Sequence, residues 1–438
     1  MNELERRVVE RIEAGRDELV ELASDLIAFD TTARAVDDPP REEAALQEYV
    51  AGRLRAAGAE TELWEPDPDE LLGKPLVPEG LRFEGRPQLV ARFAGEGSGR
   101  SLLLNGHIDV VSSEPRTSWS SDPNRAEVRD GKLYGRGSCD MKGGVAAMVF
   151  AAETLAGLGV RLGGDLVVCT NTDEESSGAG GMALVARGVQ ADAGIVPEPT
   201  SFDVWVACRG SSYATIEVPG RPGHAEVAQP HWREGGAVNA IEKAVIVLDE
   251  IQRLRRDWRS EEGYRHPYLS APDMVPTVIA GGEWPVTYPS SCRLTCGVLY
   301  VPAQADAEGW GGDVEREVTA RLLRAAAADE WLSEHPPSIN WSTGVMSMEI
   351  SPDEPIVHTS LSVAEELGLP GKLAGLDSWY DGATFTLLGG TPAIAFGPSA
   401  VEVAHTIDEF VPVNDLVACS QALALAALRF CRDLGLEP

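Results

Sequence analysis

The chain has 438 residues, 43% hydrophobic and 24% charged, with 37 basic against 69 acidic side chains and a formal charge of −32. That length supplies a sizeable core over more than one domain equivalent, so neither a disulfide scaffold nor a disordered composition is implied. The strongly negative field repels polyanions and argues against nucleic acid or anionic membrane as the main partner.

In chain order, Val8, Ile12, Leu19, Leu22, Leu26 and Ile27 recur at helical spacing and predict an amphipathic helix interrupted near Gly15. A second helix is expected over 42–56, before Gly58 and an extended ETELW. Residues 65–86, rich in Pro, Asp, Glu and Gly, read as a surface excursion. QLVARFAG and SLLLNGHIDVV read as strands, the second apolar on both faces as in a covered sheet. A helix over 146–155, the strand DLVVCTNT, a short helix over 180–186 and the strand-like DAGIVPEPT follow. This alternation predicts an α/β domain on a mixed central sheet.

After Cys208 the texture changes. SSYATIEVPG alternates, VNAIEKAVIVLDEIQRL is helical, PTVIAGGEW and SCRLTCGVLYVP read as strands, and a long helix is expected over 314–332. From Ser347 the α/β texture returns, with TPAIAFG as a core strand and NDLVACSQALALAALRF as a closing helix. We expect a catalytic domain in two parts, 1–208 and 344–438, with an α+β domain, 209–343, inserted between them. Antiparallel strands in that insertion could offer an edge for pairing. The scattered cysteines contain no CxxC pair and read as free thiols in a reducing compartment. No signal-peptide core or run near ~18 apolar residues is seen, so a cytoplasmic, membrane-free protein is expected.

Four segments carry chemistry. Asn105-Gly-His-Ile-Asp109 follows an apolar strand, so His107 and Asp109 sit where α/β active sites form. There an imidazole can face a metal while a nearby carboxylate fixes its other nitrogen. The run from Gly135 to Gly144, GRGSCDMKGG, places Asp140 ahead of a helix; its spacing fits neither common phosphate-binding loop. In NTDEES the adjacent Glu174 and Glu175 follow another strand, and Glu198 in PEPT a further one. Adjacent buried carboxylates need cations or protons, although a solvated acidic loop would look the same. The fourth segment runs from Phe396 through His405 to Glu409. Two imidazoles with several carboxylates at strand ends suggest a dinuclear site for borderline ions such as zinc or cobalt.

NGHIDVV, GRGSCDMKGG, NTDEES, EPT, GRPGHA and FGP…AHTIDEF stand in the order that marks the M20 metallopeptidase family. The chain resembles that family, which includes acetylornithine deacetylase, succinyl-diaminopimelate desuccinylase, carboxypeptidase G2 and the aminoacylases. The resemblance implies a zinc-peptidase-like catalytic domain with an inserted lid and dimerisation domain. It also implies two divalent ions, zinc first with cobalt or manganese as alternatives. His107 and Glu198 would hold one ion, His405 and Glu175 the other, and Asp140 would bridge them. Glu174 would be the general base and Asp109 would support His107. His224 of GRPGHA would reach the active site of a partner subunit, with Asn239 and Asp381 as weaker candidates for substrate contact. Arg136 and Lys142 read as loop support, and Cys139 as a packed small side chain.

In one respect the chain departs from that family's deacetylase-like members. Their Asp-x-Arg group on a strand of the inserted domain suits a substrate carboxylate. Gly297 and Leu299 occupy those positions here, and Arg293, on the same face, is six residues from Leu299. Hydrolysis of a small N-acyl amino acid or related amide is the expected reaction. A dipeptidase or carboxypeptidase using the same machinery, and a catalytically silent metal-binding scaffold, are the rivals.

Overall fold

The computed structural model describes residues 1–33, 35–36 and 38–432. The chain divides into two units: Met1–Val206 with Ile350–Gly375 and Tyr380–Pro438, and Ala207–Glu349 with Leu376–Trp379. The return of the chain to the second unit at Leu376–Trp379 has no counterpart in the hydrophobic pattern.

In the first unit the strands run in the order Glu60–Trp64, Gln88–Phe93, Leu166–Asn171, Leu102–His107, Ala193–Val196, Ala393–Ala395 and Val204–Cys208. Leu102–His107 is parallel to both neighbours, and Ala393–Ala395 is parallel to Ala193–Val196. Gln88–Phe93 is antiparallel to both of its partners, which makes the sheet mixed. Every residue of Leu102–His107, Leu166–Asn171 and Ala193–Val196 is buried. Two-sided burial is why these strands read as continuous apolar runs rather than alternating ones. The helix Lys142–Gly157 is buried from Lys142 through Ala152. Leu184 and Phe385 pack on Val90, Leu103, Val167 and Ala393. Each such large apolar side chain contributes about 1.5–3 kcal/mol when fully buried.

The predicted N-terminal helix is a pair, Glu3–Ala14 and Arg16–Ala28, meeting at Gly15. A Cβ at Gly15 would lie 2.7 Å from the Phe150 ring, so only glycine lets the junction pack this closely. The excursion expected over 65–86 does lie largely at the surface, and a few of its side chains dock it. It holds the short helix Pro68–Leu71, and its Leu71, Leu81 and Phe83 are buried with Ala179 and Ala183. Its Pro and Gly residues report turns, and turns do not prevent a few apolar side chains from anchoring a segment. Val413–Phe430 is the one helix among the described residues long and apolar enough to cross a membrane, with 18 residues of mean hydropathy 1.2; 61% of it is buried within the protein. Its Leu416, Leu423, Ala427 and Phe430 belong to the core, which accounts for its apolarity.

The second unit is an antiparallel sheet in the order Asp273–Gly281, Ser291–Tyr300, Gly210–Pro219 and Ser338–Val345. The helices Ala240–Ser260 and Gly312–Ala326 share its core; the second is shorter than the 314–332 expected. Val247, Ile251, Leu254 and Trp258 form a helical stripe and pack with Ile216, Val218, Leu294 and Val298. Asp273–Gly281 is an edge strand whose last five residues are exposed, Val278 at 51% and Ile279 at 59%.

Candidate metal centre

Neighbouring parallel strands end on one edge of the sheet, and the loops leaving them carry the polar residues. His107 closes Leu102–His107, Glu174 and Glu175 follow Leu166–Asn171, and Glu198 follows Ala193–Val196. Asp140 lies two residues before the helix Lys142–Gly157. His405, with φ of 61°, lies in the left-handed region just after the turn Val401–Val403. Such a conformation in a non-glycine residue costs of order 1–3 kcal/mol and must be held by its surroundings.

Two groups of ligand-type side chains result, His107 with Asp140 and Glu198, and Asp140 with Glu175 and His405. His107 Nε2 is 3.1 Å from Asp140 Oδ1 and 4.0 Å from Glu198 Oε1. His405 Nε2 is 3.0 Å from Glu175 Oε1 and 3.4 Å from Asp140 Oδ2. Each oxygen of Asp140 therefore serves a different group. The opposite nitrogen of His107, Nδ1, lies 2.9 Å from the backbone carbonyl of Asp109. A carbonyl can only accept, so Nδ1 donates to it, and Nε2 is the nitrogen left facing Asp140, able to share a proton with that carboxylate or, once the proton leaves, to offer a lone pair to a cation. An imidazole nitrogen and two carboxylates thus converge, and a divalent cation among them would take the place of the proton that Nε2 and Asp140 otherwise share. The N/O donor set fits borderline ions of the zinc and cobalt kind.

The electrostatics agree with two cradles for cations. Burial, followed by repulsion from neighbouring carboxylates, pushes Glu174 and Glu198 well above the ordinary glutamate range. Burial would also raise Asp140, but hydrogen bonds from His107 and His405 outweigh it and hold that carboxyl far down. The same contacts with Asp140 and Glu175 raise His405 to about 10. Clustered acids compensated only by shared protons are what positive ions would neutralise.

Supporting contacts come from distant segments. The Asp109 carboxylate accepts hydrogen bonds from the backbone N–H of Glu174 (3.2 Å) and Glu175 (3.0 Å). It stands 3.7 Å from His107 Nδ1, whose closer partner is the Asp109 carbonyl. Asp381 is buried and belongs to neither group; its Oδ2 accepts from Asn171 Nδ2 at 2.6 Å, while Oδ1 has no partner among the described residues. Glu409 accepts from the backbone N–H of Cys139 (2.8 Å) and Asp140 (3.0 Å) and pairs with buried Arg136. Lys142 Nζ donates to the carbonyl of Phe29, and Cys139 is fully buried. Sequence patterns assign no role to Glu409, although it closes the segment singled out for His405. Nor do they mark Arg86 and Gln88, which lie against the Glu174 loop.

His224 and Asn239 lie in the second unit. His224 is exposed, bridges Thr287 in antiparallel fashion, and accepts at Nδ1 from the Glu226 N–H at 3.3 Å. Asn239 caps the helix Ala240–Ser260, its Oδ1 accepting from the Ile241 N–H at 3.0 Å. Arg293 and Leu299 alternate with the buried Cys292, Leu294, Cys296 and Val298, and Arg293 lies 3.7 Å from Glu217.

Residues 103–429 match the family described as peptidase family M20/M25/M40. The chain is 30% identical over 443 residues to an N-formyl-4-amino-5-aminomethyl-2-methylpyrimidine deformylase of Halalkalibacterium halodurans, covering 96% of each protein. It is 30% identical to an acetylornithine deacetylase of Myxococcus xanthus, covering 93% of this chain and 96% of that one. Among solved structures, a tripeptidase from Staphylococcus aureus superposes with a TM-score of 0.71 at 18% identity, over 94% of this chain and 99% of the other.

Proposed function

The chain belongs to peptidase family M20/M25/M40 and is a metal-dependent hydrolase of that type, and on that premise we propose that it cleaves the linear amide of a small N-acyl amino acid or related N-acyl compound. The observation that carries this reading is the pair of ligand groups sharing Asp140, with Glu174 in neither but next to Glu175 in the chain and within the electrostatic reach of His107 and Glu198. Two divalent cations, zinc first and cobalt or manganese as alternatives, would be held by His107, Asp140 and Glu198 and by Asp140, Glu175 and His405. Bound there, they supply Lewis acidity that activates water and polarises the amide carbonyl. Glu174 takes the proton of the attacking water and delivers it to the departing nitrogen, a role suited to a carboxyl that burial raises above its ordinary range. Asp109 fixes His107 and the Glu174–Glu175 backbone together.

Relatives named as a deformylase and a deacetylase, each matched over more than nine-tenths of this chain, support a short acyl group. Gly297 and Leu299 supply no cation on their face of the strand Ser291–Tyr300. That favours, as a second reading, an N-acyl amine without the carboxylate of an amino acid. A peptidase would need such a cation, or a pocket for a free amine, from elsewhere. The test is metal-dependent release of amine from N-formyl, N-acetyl, N-succinyl and N-carbamoyl compounds and dipeptides. Glu174→Gln is assayed alongside: turnover lost with both metals retained supports the reading, and turnover retained refutes it.

The same reading includes a cytoplasmic homodimer formed through the inserted unit, with His224 acting in the partner's site. The exposed edge Thr277–Gly281 with Val278 and Ile279 supports it, as do exposed Ile241, Val245 and Trp284 in the same unit. Seven buried free cysteines fit a reducing compartment.

A further inference from the structure

Asp173, immediately before Glu174 and Glu175, has φ of 63°, a conformation that a non-glycine residue keeps only when held. Its backbone carbonyl accepts from the N–H groups of Ser177 (3.1 Å) and Gly178 (2.7 Å), closing the loop that carries both glutamates. Its side chain is used on both oxygens. Oδ1 accepts from Arg86 Nη1 at 3.0 Å, and Oδ2 accepts from Thr172 Oγ1 at 2.7 Å.

Arg86 ends the docked segment 65–86 and is 3% exposed, as deeply placed as a core residue. Its Nη2 donates to the Asp38 carbonyl at 3.2 Å, and its own carbonyl accepts from Gln88 Nε2 at 3.1 Å. Gln88 completes the clamp: Nε2 donates to Thr172 Oγ1 at 2.9 Å and Oε1 accepts from the Thr172 N–H at 3.0 Å. Arg86 Nε, however, has no partner among the described residues. A buried ion pair with an unsatisfied donor is a poor source of stability, because desolvation offsets most of the attraction. What this pair does well is geometric, since a planar guanidinium fixes the orientation of the carboxylate it meets.

We propose that Arg86 is a positioning residue for the reaction: through Asp173 it holds the loop conformation that sets the carboxyl groups of Glu174 and Glu175. Asp109 grips the same loop through the N–H groups of those two glutamates. With Arg86 removed, Asp173 keeps only its local contacts and the loop can relax toward ordinary backbone angles. Glu175 then leaves its 3.0 Å approach to His405, and Glu174 leaves the reacting centre. The His107, Asp140 and Glu198 group takes no residue from this loop. The proposal rests on the assignment of Glu174 and Glu175 made above.

The experiment compares Arg86→Gln, Asp173→Asn, the double variant and Arg86→Lys in the full-length protein. It reads kcat and KM on the best substrate, stepwise zinc and cobalt binding by calorimetry, and Tm. Arg86→Gln is expected to lower kcat about 10–100-fold, the range for residues that orient a metal ligand. KM should stay within about threefold, because the loss falls on the transition state. One tight cation should remain while the second binds more weakly by a similar factor. The double variant should lose no more than either single one, since all three remove one contact. Arg86→Lys keeps the charge without the fork and should recover part of kcat. If Arg86→Gln does not fold, the double variant, with neutral amides in both places, carries the comparison. Unchanged kcat and two unchanged cation steps in a variant of lowered Tm would overturn the proposal, as would losses that add in the double variant. Retained turnover in Glu174→Gln would instead overturn the underlying assignment, whatever the Arg86 variants do.

Discussion

Asp109 ties His107 to the Glu174 loop with two different parts of one residue. Its carbonyl accepts from His107 Nδ1 at 2.9 Å, and its carboxylate accepts from the N–H of Glu175 at 3.0 Å and of Glu174 at 3.2 Å. The backbone contact orients the imidazole and the side-chain contact orients the loop. Asp109→Asn keeps the first and replaces an accepting oxygen of the second with a donor. It should lower turnover about 10–100-fold and loosen the Glu175 cation, while His107 still binds. Calorimetric metal titration together with kcat distinguishes this from a variant that loses both ions.

The two ligand groups predict distinct metal counts. Glu198→Ala should leave one ion and Glu175→Ala should leave the other, because each glutamate belongs to one group only. Asp140→Ala should impair both, since its two oxygens face different histidines. Metal per protein after dialysis is the measurement. Equal loss in all three variants would show that the groups do not act separately.

Chelation should abolish turnover and zinc or cobalt should restore it, whereas Glu174→Gln should bind both ions and remain inactive under every metal. A general base of this kind contributes roughly 10²–10⁴-fold. Metal content and rate measured on the same samples make the comparison.

The Arg255–Asp273 pair in the second unit gives a prediction with a pH sign. Burial would raise the Asp273 carboxyl, but hydrogen bonds and charge from Arg255, with the charge of Arg259, hold it below its ordinary value of 3.8. A depressed native pKa means that the folded protein binds fewer protons than the unfolded chain, so the stabilisation is complete above that ordinary value and disappears as pH falls through the lowered one. Asp273→Asn should therefore lower Tm at pH 7, and the difference from the parent should shrink at about pH 3. Thermal melts at the two pH values test it.

Ile279→Asp places a charge on the exposed edge Thr277–Gly281 without touching the core of the inserted unit. If the inserted units pair through this edge as proposed, sedimentation should show a dimer for the parent and a folded monomer for the variant. Turnover should fall with dimerisation if His224 serves the partner's site. Mixing His224→Ala and Glu174→Gln protein should then restore activity in the mixed dimers that carry one intact site.

The candidate site was legible along the chain because its residues sit at the ends of continuous apolar runs. Burial on both faces imposes those runs locally, and a strand must release its polar residues where it leaves the sheet. His107, Glu174, Glu175 and Glu198 each follow such a run, and the structure gathers His107, Glu175 and Glu198 with Asp140 and His405. The inserted α+β unit was legible for a similar reason, as alternation and helical stripes replace two-sided runs. Less was legible where elements are short or held by distant partners, as in Glu127–Arg129, Lys132–Tyr134 and Phe410–Pro412, which form a small sheet of their own.

Only the tertiary structure decided how the site is held. Arg86 meets Asp173 across 87 residues, Asp109 meets Glu174 across 65, and Glu409 meets Asp140 across 269. Hydrophobic periodicity reports whether a residue faces a core and says nothing about which distant polar group it will meet there. Arg86 lies in a Pro- and Gly-rich stretch whose composition resembles exposed loop, yet burial of Leu71, Leu81 and Phe83 beside Ala179 and Ala183 draws it inward. The amino-acid sequence thus determined which residues have the chemistry to bind metal and move a proton. The folded chain decided which backbone and side-chain contacts hold them at working distances, because those contacts exist only once remote segments pack together.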